Sequence, residues 1–235
     1  MLSRPAPGTR PEPAVSQKER GMNLQKRRKG SYSVMIGTAA AVYAVLVLCC
    51  APLYAGAPMD LVKVSFDKAL ALLNDSALKA PDMKLKRRDM LREVANGMFD
   101  WEEMSKRSMG IYWKDRTPEE KKEFVKLFAD LLENTYIERI ESYSGEKIIY
   151  AGESLEGAYA MVKTKIITRQ NVEIPVNYTL LEKNGRWAVY DVSIEGVSLV
   201  RNYRSQINEI LTRSSYPELI KRLQEKQAAS QAPAV

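Results

Sequence analysis

Tyr190-Asp-Val-Ser-Ile-Glu-Gly-Val-Ser-Leu-Val-Arg-Asn-Tyr-Arg-Ser-Gln-Ile207 begins with the period of a strand and ends with the period of a helix. Val189, Asp191 and Ser193 alternate with Tyr190, Val192 and Ile194, which predicts a strand with one polar face. Glu195-Gly196 marks a corner, because glycine takes backbone angles closed to other residues. Ser198 is placed to cap a helix by accepting an orphan backbone N–H. Val200, Tyr203, Ile207, Ile210 and Leu211 then repeat at helical spacing. A sheet and a helix with apolar faces meet at this corner and can enclose something between them.

Upstream of the corner the pattern alternates as far back as Gly145. Lys147–Glu153, Ala158–Arg169, Val172–Glu182 and Trp187–Ile194 read as four strands, the last two joined by the Asn-Gly hairpin signal of Lys183-Asn-Gly-Arg186. Short connections make the sheet antiparallel. Before Gly145 the period is helical. Leu61, Val64, Ala69, Leu70 and Leu73 mark one helix, and a second, basic one runs from Asp82 to Gly97. Its Lys84-Leu-Lys-Arg-Arg88 cluster is expected to be a solvated face. Asp100 and Glu103 have the spacing of a capping box, and Phe99 and Met104 that of a hydrophobic staple. A metal or acid–base reading of Asp100, Glu102 and Glu103 lacks a partner ligand nearby. Thr117-Pro-Glu-Glu120 opens the longest helix with a second box and a proline at its first position. After the corner helix, Tyr216–Leu223 reads as a short helix, and the Gln/Ala/Ser-rich remainder from Gln224 is expected to be disordered.

The chain has 235 residues and a net charge of +7. Residues 1–57 hold 8 Lys/Arg and 2 Asp/Glu, so +6 of that charge belongs to the N-terminal segment and only +1 to the rest. A nucleic-acid partner loses its main support. Histidine is absent, and both cysteines, Cys49 and Cys50, lie in the same N-terminal segment. Residues 58–235 therefore offer no thiol nucleophile, imidazole base or soft metal ligand. Glycines such as Gly145 and Gly157 stand alone, without the run that cradles a nucleotide phosphate.

Lys26-Arg-Arg-Lys29, an uncharged stretch with its apolar centre over Val34 to Cys50, and Ala55-Gly-Ala57 have the layout of a secretory signal cut after Ala57. An uncleaved membrane anchor is the alternative. Met22 would open a leader of more ordinary length than Met1. The expected division is a leader over 1–57, one domain over 58–226 and a disordered tail over 227–235.

Phe99-Asp-Trp-Glu-Glu-Met104, Trp113, Thr117-Pro-Glu-Glu120, Tyr143-Ser-Gly-Glu-Lys147 and above all Asp191 to Ser205 resemble the MlaC family, also known as the toluene-tolerance auxiliary component of an ABC transport system. The resemblance spans Asp60 to Leu223. It implies an α+β fold in which a curved four-stranded antiparallel sheet is backed by helices, a cone like that of nuclear transport factors, with an apolar cavity. It also implies a periplasmic phospholipid carrier without catalytic residues or cofactor. Such carriers take diacyl phospholipid as cargo between an outer-membrane lipoprotein–porin complex and an inner-membrane ABC transporter with MCE subunits. They thereby maintain outer-membrane lipid asymmetry, with direction set by the transporter's ATP hydrolysis.

Residues placed to line such a cavity are Tyr136 and Ile140 on the long helix; Val162, Ile166, Val176, Tyr178 and Leu180 on the sheet; and Val197, Leu199 and Tyr203 at the corner. For each, core packing and lipid contact both remain open. Arg201 and Arg204 are candidates for a phosphate head group, an acidic partner or a solvated face. Two other readings stand beside the carrier. One is a membrane-tethered interaction module; the other is a cone-fold enzyme that uses Asp191 and Tyr178 for proton transfer.

Overall fold

A computed structural model describes residues 58–231. The leader over 1–57, the cut after Ala57 and the last four residues lie outside the described residues. The elements are α1 (Pro58–Asn74), α2 (Lys84–Met98), α3 (Trp101–Met109), α4 (Pro118–Glu141), β1 (Lys147–Glu156), β2 (Tyr159–Ile167), β3 (Glu173–Lys183), β4 (Arg186–Ile194), β5 (Val197–Ser198), α5 (Leu199–Arg213) and α6 (Tyr216–Gln231). Single 3₁₀ turns at Ser76–Leu78, Pro81–Met83 and Gly110–Trp113 join the first helices.

The sheet is antiparallel in the order β1-β2-β3-β4-β5. It has five strands where four were expected. The fifth is the two-residue continuation of the corner, paired as Ser193 with Ser198 and Ile194 with Val197. Glu195 and Gly196 both take positive φ, 50° and 82°, the requirement of a two-residue type I′ hairpin. The chain thus folds back on β4 for two residues before α5 begins.

Strict alternation fails in β4. Thr179 pairs with Asp191 but Leu180 pairs with Val189, so Tyr190 is an extra residue in a bulge. The bulge turns Val189 onto the same face as Val192, and both join the inner apolar layer. Tyr190 faces the helices instead, with the Arg107 guanidinium 4.0 Å from its ring centre.

Two apolar layers result. Met104, Phe124, Phe128, Leu132, Ile207 and Leu219 head a helical core drawn from α3 to α6. Phe124 and Phe128 stack with centroids 5.6 Å apart. The second layer lies between the sheet and α1. Its α1 face is the expected one only in part. Leu61 packs on this layer as expected, Val62 is buried and Phe66 packs there too, while Val64 is 49% exposed. Spacings of three and four admit either Val62 and Phe66 or Val64 at these positions, and contact with the sheet decides between them.

The helix starts divide in the same way. Thr117 and Glu120 form the full capping box, at 3.2 and 2.9 Å. At Asp100 only half forms. Its Oδ1 accepts the Glu103 N–H at 2.8 Å, but the Glu103 carboxylate goes to Arg107 and Lys183. The Asp100 N–H pairs instead with the Val189 carbonyl. The basic cluster of α2 is a solvated face only at Lys84, Leu85 and Lys86. Arg87 and Arg88 both hold Glu141 at the end of α4, at 2.9 and 2.7 Å.

The final helix runs to Gln231, past the start of the expected disordered tail. Docking on α4 explains the extra turns. The Tyr216 hydroxyl donates to the Glu120 carbonyl at 2.8 Å, and the Gln227 amide donates to Asp130 at 2.8 Å. Burial pushes the Tyr216 phenol up to about 12, with Glu123 and Glu120 adding to the effect.

Candidate functional site

The inner face of the sheet is largely apolar. Ala160, Val162 and Ile166 come from β2; Ile174, Val176, Tyr178 and Leu180 from β3; Val189, Val192 and Ile194 from β4. Register aligns them: Val162 lies opposite Tyr178, Ile166 opposite Ile174, and Tyr178 opposite Val192. α1 lies across this face. Phe66 meets Tyr178 edge-on with centroids 5.8 Å apart, the Lys63 ammonium sits 5.4 Å from the Tyr150 ring centre, and the Met59 N–H donates to Glu153. Tyr136 of α4 packs against both layers, as Phe99 does, so the two residues join the sheet layer to the helical core.

One polar pair lies in this apolar layer. The Thr164 hydroxyl is buried and donates to the Val176 carbonyl at 2.8 Å, and it also bonds the Tyr178 hydroxyl. Burial pushes the Tyr178 phenol well above its ordinary range, Tyr150 adds to this and the Thr164 bond opposes it. The phenol therefore stays neutral and the face carries no charge there.

Seven of the ten residues placed from sequence come together. Val162, Val176, Tyr178, Leu180 and Leu199 are buried in the layer, with Tyr136 and Ile166 packed against it. Three do not join it. Val197 is 58% exposed, because the two-residue β5 turns it outward at the sheet edge. Ile140, one turn beyond Tyr136, is 43% exposed near the end of α4. Tyr203 belongs to the helical core, edge-on to Phe128 at 5.3 Å, and lines a separate groove of about 320 Å³ between α4, α5 and α6. Val62 and Phe66 were missed; their signal was a spacing of four from each other and of seven from Phe66 to Leu73.

Arg201 and Arg204 are exposed. The Arg204 guanidinium rests over Gly110, where an added Cβ would stand 3.0 Å from Nε. Asp191 and Tyr178 do not form a pair. Asp191 lies opposite Thr179, and Tyr178 opposite Val192, so the two side chains occupy opposite faces of the sheet. Both Asp191 oxygens hold the start of α5, accepting from the Ser198 hydroxyl at 2.6 Å and the Val200 N–H at 3.0 Å. Among the described residues no cluster of three or more Cys, Asp or Glu is arranged to hold a metal, and no helix is long and apolar enough to cross a membrane.

The family model described as MlaC protein matches residues 63–225, from the first turns of α1 to the middle of α6. The chain belongs to the MlaC family. Among curated relatives, it is 29% identical over 128 residues to the intermembrane phospholipid transport system binding protein MlaC of Haemophilus influenzae. That match covers 52% of this chain and 59% of the relative. It is 26% identical to the toluene tolerance protein ttg2D of Pseudomonas putida, over 54% of this chain and 60% of that protein. The chain thus spans about three-fifths of the length of the curated relatives it matches. A solved structure of the phospholipid-binding protein from Ralstonia solanacearum, in complex with a phospholipid, is similar with a TM-score of 0.66. It is 20% identical, over 74% of this chain and 98% of that chain, and shows that the MlaC chain described here shares its fold.

Proposed function

We propose that this MlaC-family protein is a periplasmic phospholipid carrier and that the acyl chains of its cargo lie between α1, α4 and the inner face of the sheet. The observation that supports this most is the largely apolar face from Val189 to Ile166, covered by α1 and by the ends of other helices rather than by a second sheet. The phospholipid held by the Ralstonia solanacearum protein on the same fold supports it from outside the chain. Val62, Val162, Leu180 and Val189 are fully buried, so acyl chains enter only when α1 separates from the sheet. The Met59–Glu153 bond ties the first turn of this helix to β1, and the Lys63–Tyr150 contact ties its second.

Roughly 30 methylene groups at about 0.8 kcal/mol each make a free diacyl lipid in water prohibitively costly. The protein need not supply that as net affinity, since a bilayer hides the tails equally well. It needs only an interior comparable to the bilayer and a docked donor or acceptor. On this reading the partners are an outer-membrane lipoprotein–porin complex and an inner-membrane MCE-type ABC transporter, and the role is to maintain outer-membrane lipid asymmetry. No residue is assigned to catalysis, and no cofactor is required; phospholipid is cargo.

Native mass spectrometry of protein isolated from the periplasm without detergent tests the reading. A bound mass near one lipid per chain that extracts as diacyl phospholipid is the expected result. An apo mass together with failure to load from phospholipid vesicles would overturn it.

A further inference from the structure

At one end of the sheet a cleft of about 520 Å³ opens between the end of α1, the following 3₁₀ turn, α2, the end of α4 and the β2–β3 turn. Leu73, Lys79, Arg87, Glu141, Tyr143 and Arg169 contribute to its walls. Its lining holds three cations and one carboxylate, a net of +2. Glu141 neutralises none of the outer two. Its Oε1 is taken by Arg87 and its Oε2 by Arg88, which stands just behind the cleft. Among the described residues the Lys79 ammonium has no ion pair. The Arg169 guanidinium is held in place by the Ser144 carbonyl, a neutral group, and the nearby Glu146 carboxylate, bonded to Ser144, offsets part of its charge without an ion pair. Arg87 Nε is buried and donates to nothing among the described residues.

Three elements lead from the apolar layer to this cleft. Along α1, Leu73 stands seven residues, two turns, beyond Phe66 on the same face. Along α4, Tyr136 is followed by exposed Ile140 and then Glu141. Along β2, Ile166 precedes Arg169 by three residues. An amphiphile with its tails against the sheet places its polar end here. Guanidinium and ammonium groups facing one opening are the donors that recognise a phosphate oxygen.

We infer that this cleft binds a phosphate group, supplied by the phosphodiester of the lipid cargo. The inference rests on the carrier reading above for its source of phosphate. Lys79 and Arg169 are the outer donors and Arg87 the inner one, fixed by Glu141 and by its bond to the Leu78 carbonyl. The glycerol then sits at Ile140 and Ile166, and the headgroup beyond the phosphate stays in solvent.

Isothermal titration of the delipidated protein separates the sources. The ligands are dihexanoylphosphatidylglycerol, dihexanoylglycerol with the same tails but no phosphate, and inorganic phosphate. The phospholipid is expected to bind about tenfold more tightly than the diacylglycerol, the scale of one or two charge-assisted hydrogen bonds. In K79Q/R169Q, two exposed positions whose change leaves the core intact, that preference disappears while diacylglycerol binding is unchanged. In the unsubstituted protein the preference also shrinks as salt rises from about 0.05 to 0.5 M. Equal binding of the two lipids, or a preference that survives in K79Q/R169Q, overturns the site and leaves the carrier. Inorganic phosphate binding that is lost in the variant, with neither lipid bound, keeps the site and removes the carrier. If none of the three binds, both fall.

Discussion

Asp191 on β4 holds Ser198 across the corner, accepting its hydroxyl proton at 2.6 Å while Ser198 in turn accepts the Arg201 N–H at 3.0 Å. With the Val200 N–H on the other Asp191 oxygen, the strand end and the first turn of α5 become one hydrogen-bonded unit. The acidic side chain therefore has a structural task at a helix N-terminus, where its charge is favoured. Asp191→Ala and Ser198→Ala should each lower stability by about 1–2 kcal/mol. Because they share a partner, the double variant should lose clearly less than the sum of the two. Urea midpoints of the four proteins check this, and strict additivity would show that the relay is not a unit.

Glu141 makes the fold acid-sensitive. Burial alone would raise its carboxyl, but hydrogen bonds from Arg88 and Arg87 outweigh burial and hold it below its ordinary value. A lowered folded pKa gives stability that is fully present above the unfolded value of about 4.3 and is lost as pH falls through the folded value. Glu141→Gln should cost about 1–3 kcal/mol at pH 7. As pH falls below the unfolded value and through the lower folded one, the variant and the parent should converge. Melting curves at several pH values measure it, and a constant gap down to acid pH would contradict the assignment.

Gly110 ends α3 at φ 62° and ψ −127°, a region closed to side chains. Gly110→Ala should lose about 1–3 kcal/mol from backbone strain. The neighbouring Arg204 side chain is exposed and can swing aside, so Arg204→Ala in the same protein should recover little of the loss. Full recovery in thermal melts would place the cost in the guanidinium contact instead.

Leu180 and Ile140 should respond in opposite ways. Leu180 is fully buried, and Leu180→Ala should destabilise by about 2–5 kcal/mol. Ile140 is 43% exposed, next to Glu141 of the cleft, so Ile140→Asp should cost far less stability than Leu180→Ala and slow lipid uptake from vesicles. Uptake unaffected by Ile140→Asp would move the lipid's path elsewhere.

Much of this fold is legible in local patterns. Thr117-Pro-Glu-Glu120 starts α4 as expected, because a capping box satisfies its own backbone groups without outside help. Asn184-Gly185 turns β3 into β4 with positive φ at both residues, for the same local reason. Seven of the ten cavity candidates share one layer, since alternation along β2 and β3 carries them to one face. The failures fall where a distant group competes. Glu103 abandons its own capping box for Lys183, 80 residues away, and Arg87 and Arg88 leave solvent for Glu141. Gln224 to Gln231 is helical because α4 offers it a surface.

The sequence by itself determined the order of the main helices and strands, the antiparallel sheet and the corner at Glu195-Gly196, because each rests on spacing within a few residues; the family resemblance rests instead on motifs spread along the chain. Only the tertiary structure decided that Val62 and Phe66 rather than Val64 face the sheet, that a bulge at Tyr190 brings Val189 inward, and that Asp191 and Tyr178 lie on opposite faces. It also gathered Lys79, Arg87 and Arg169, up to 90 residues apart, around one opening. Pairing between distant segments sets those features, and periodicity along the chain carries no record of the partner.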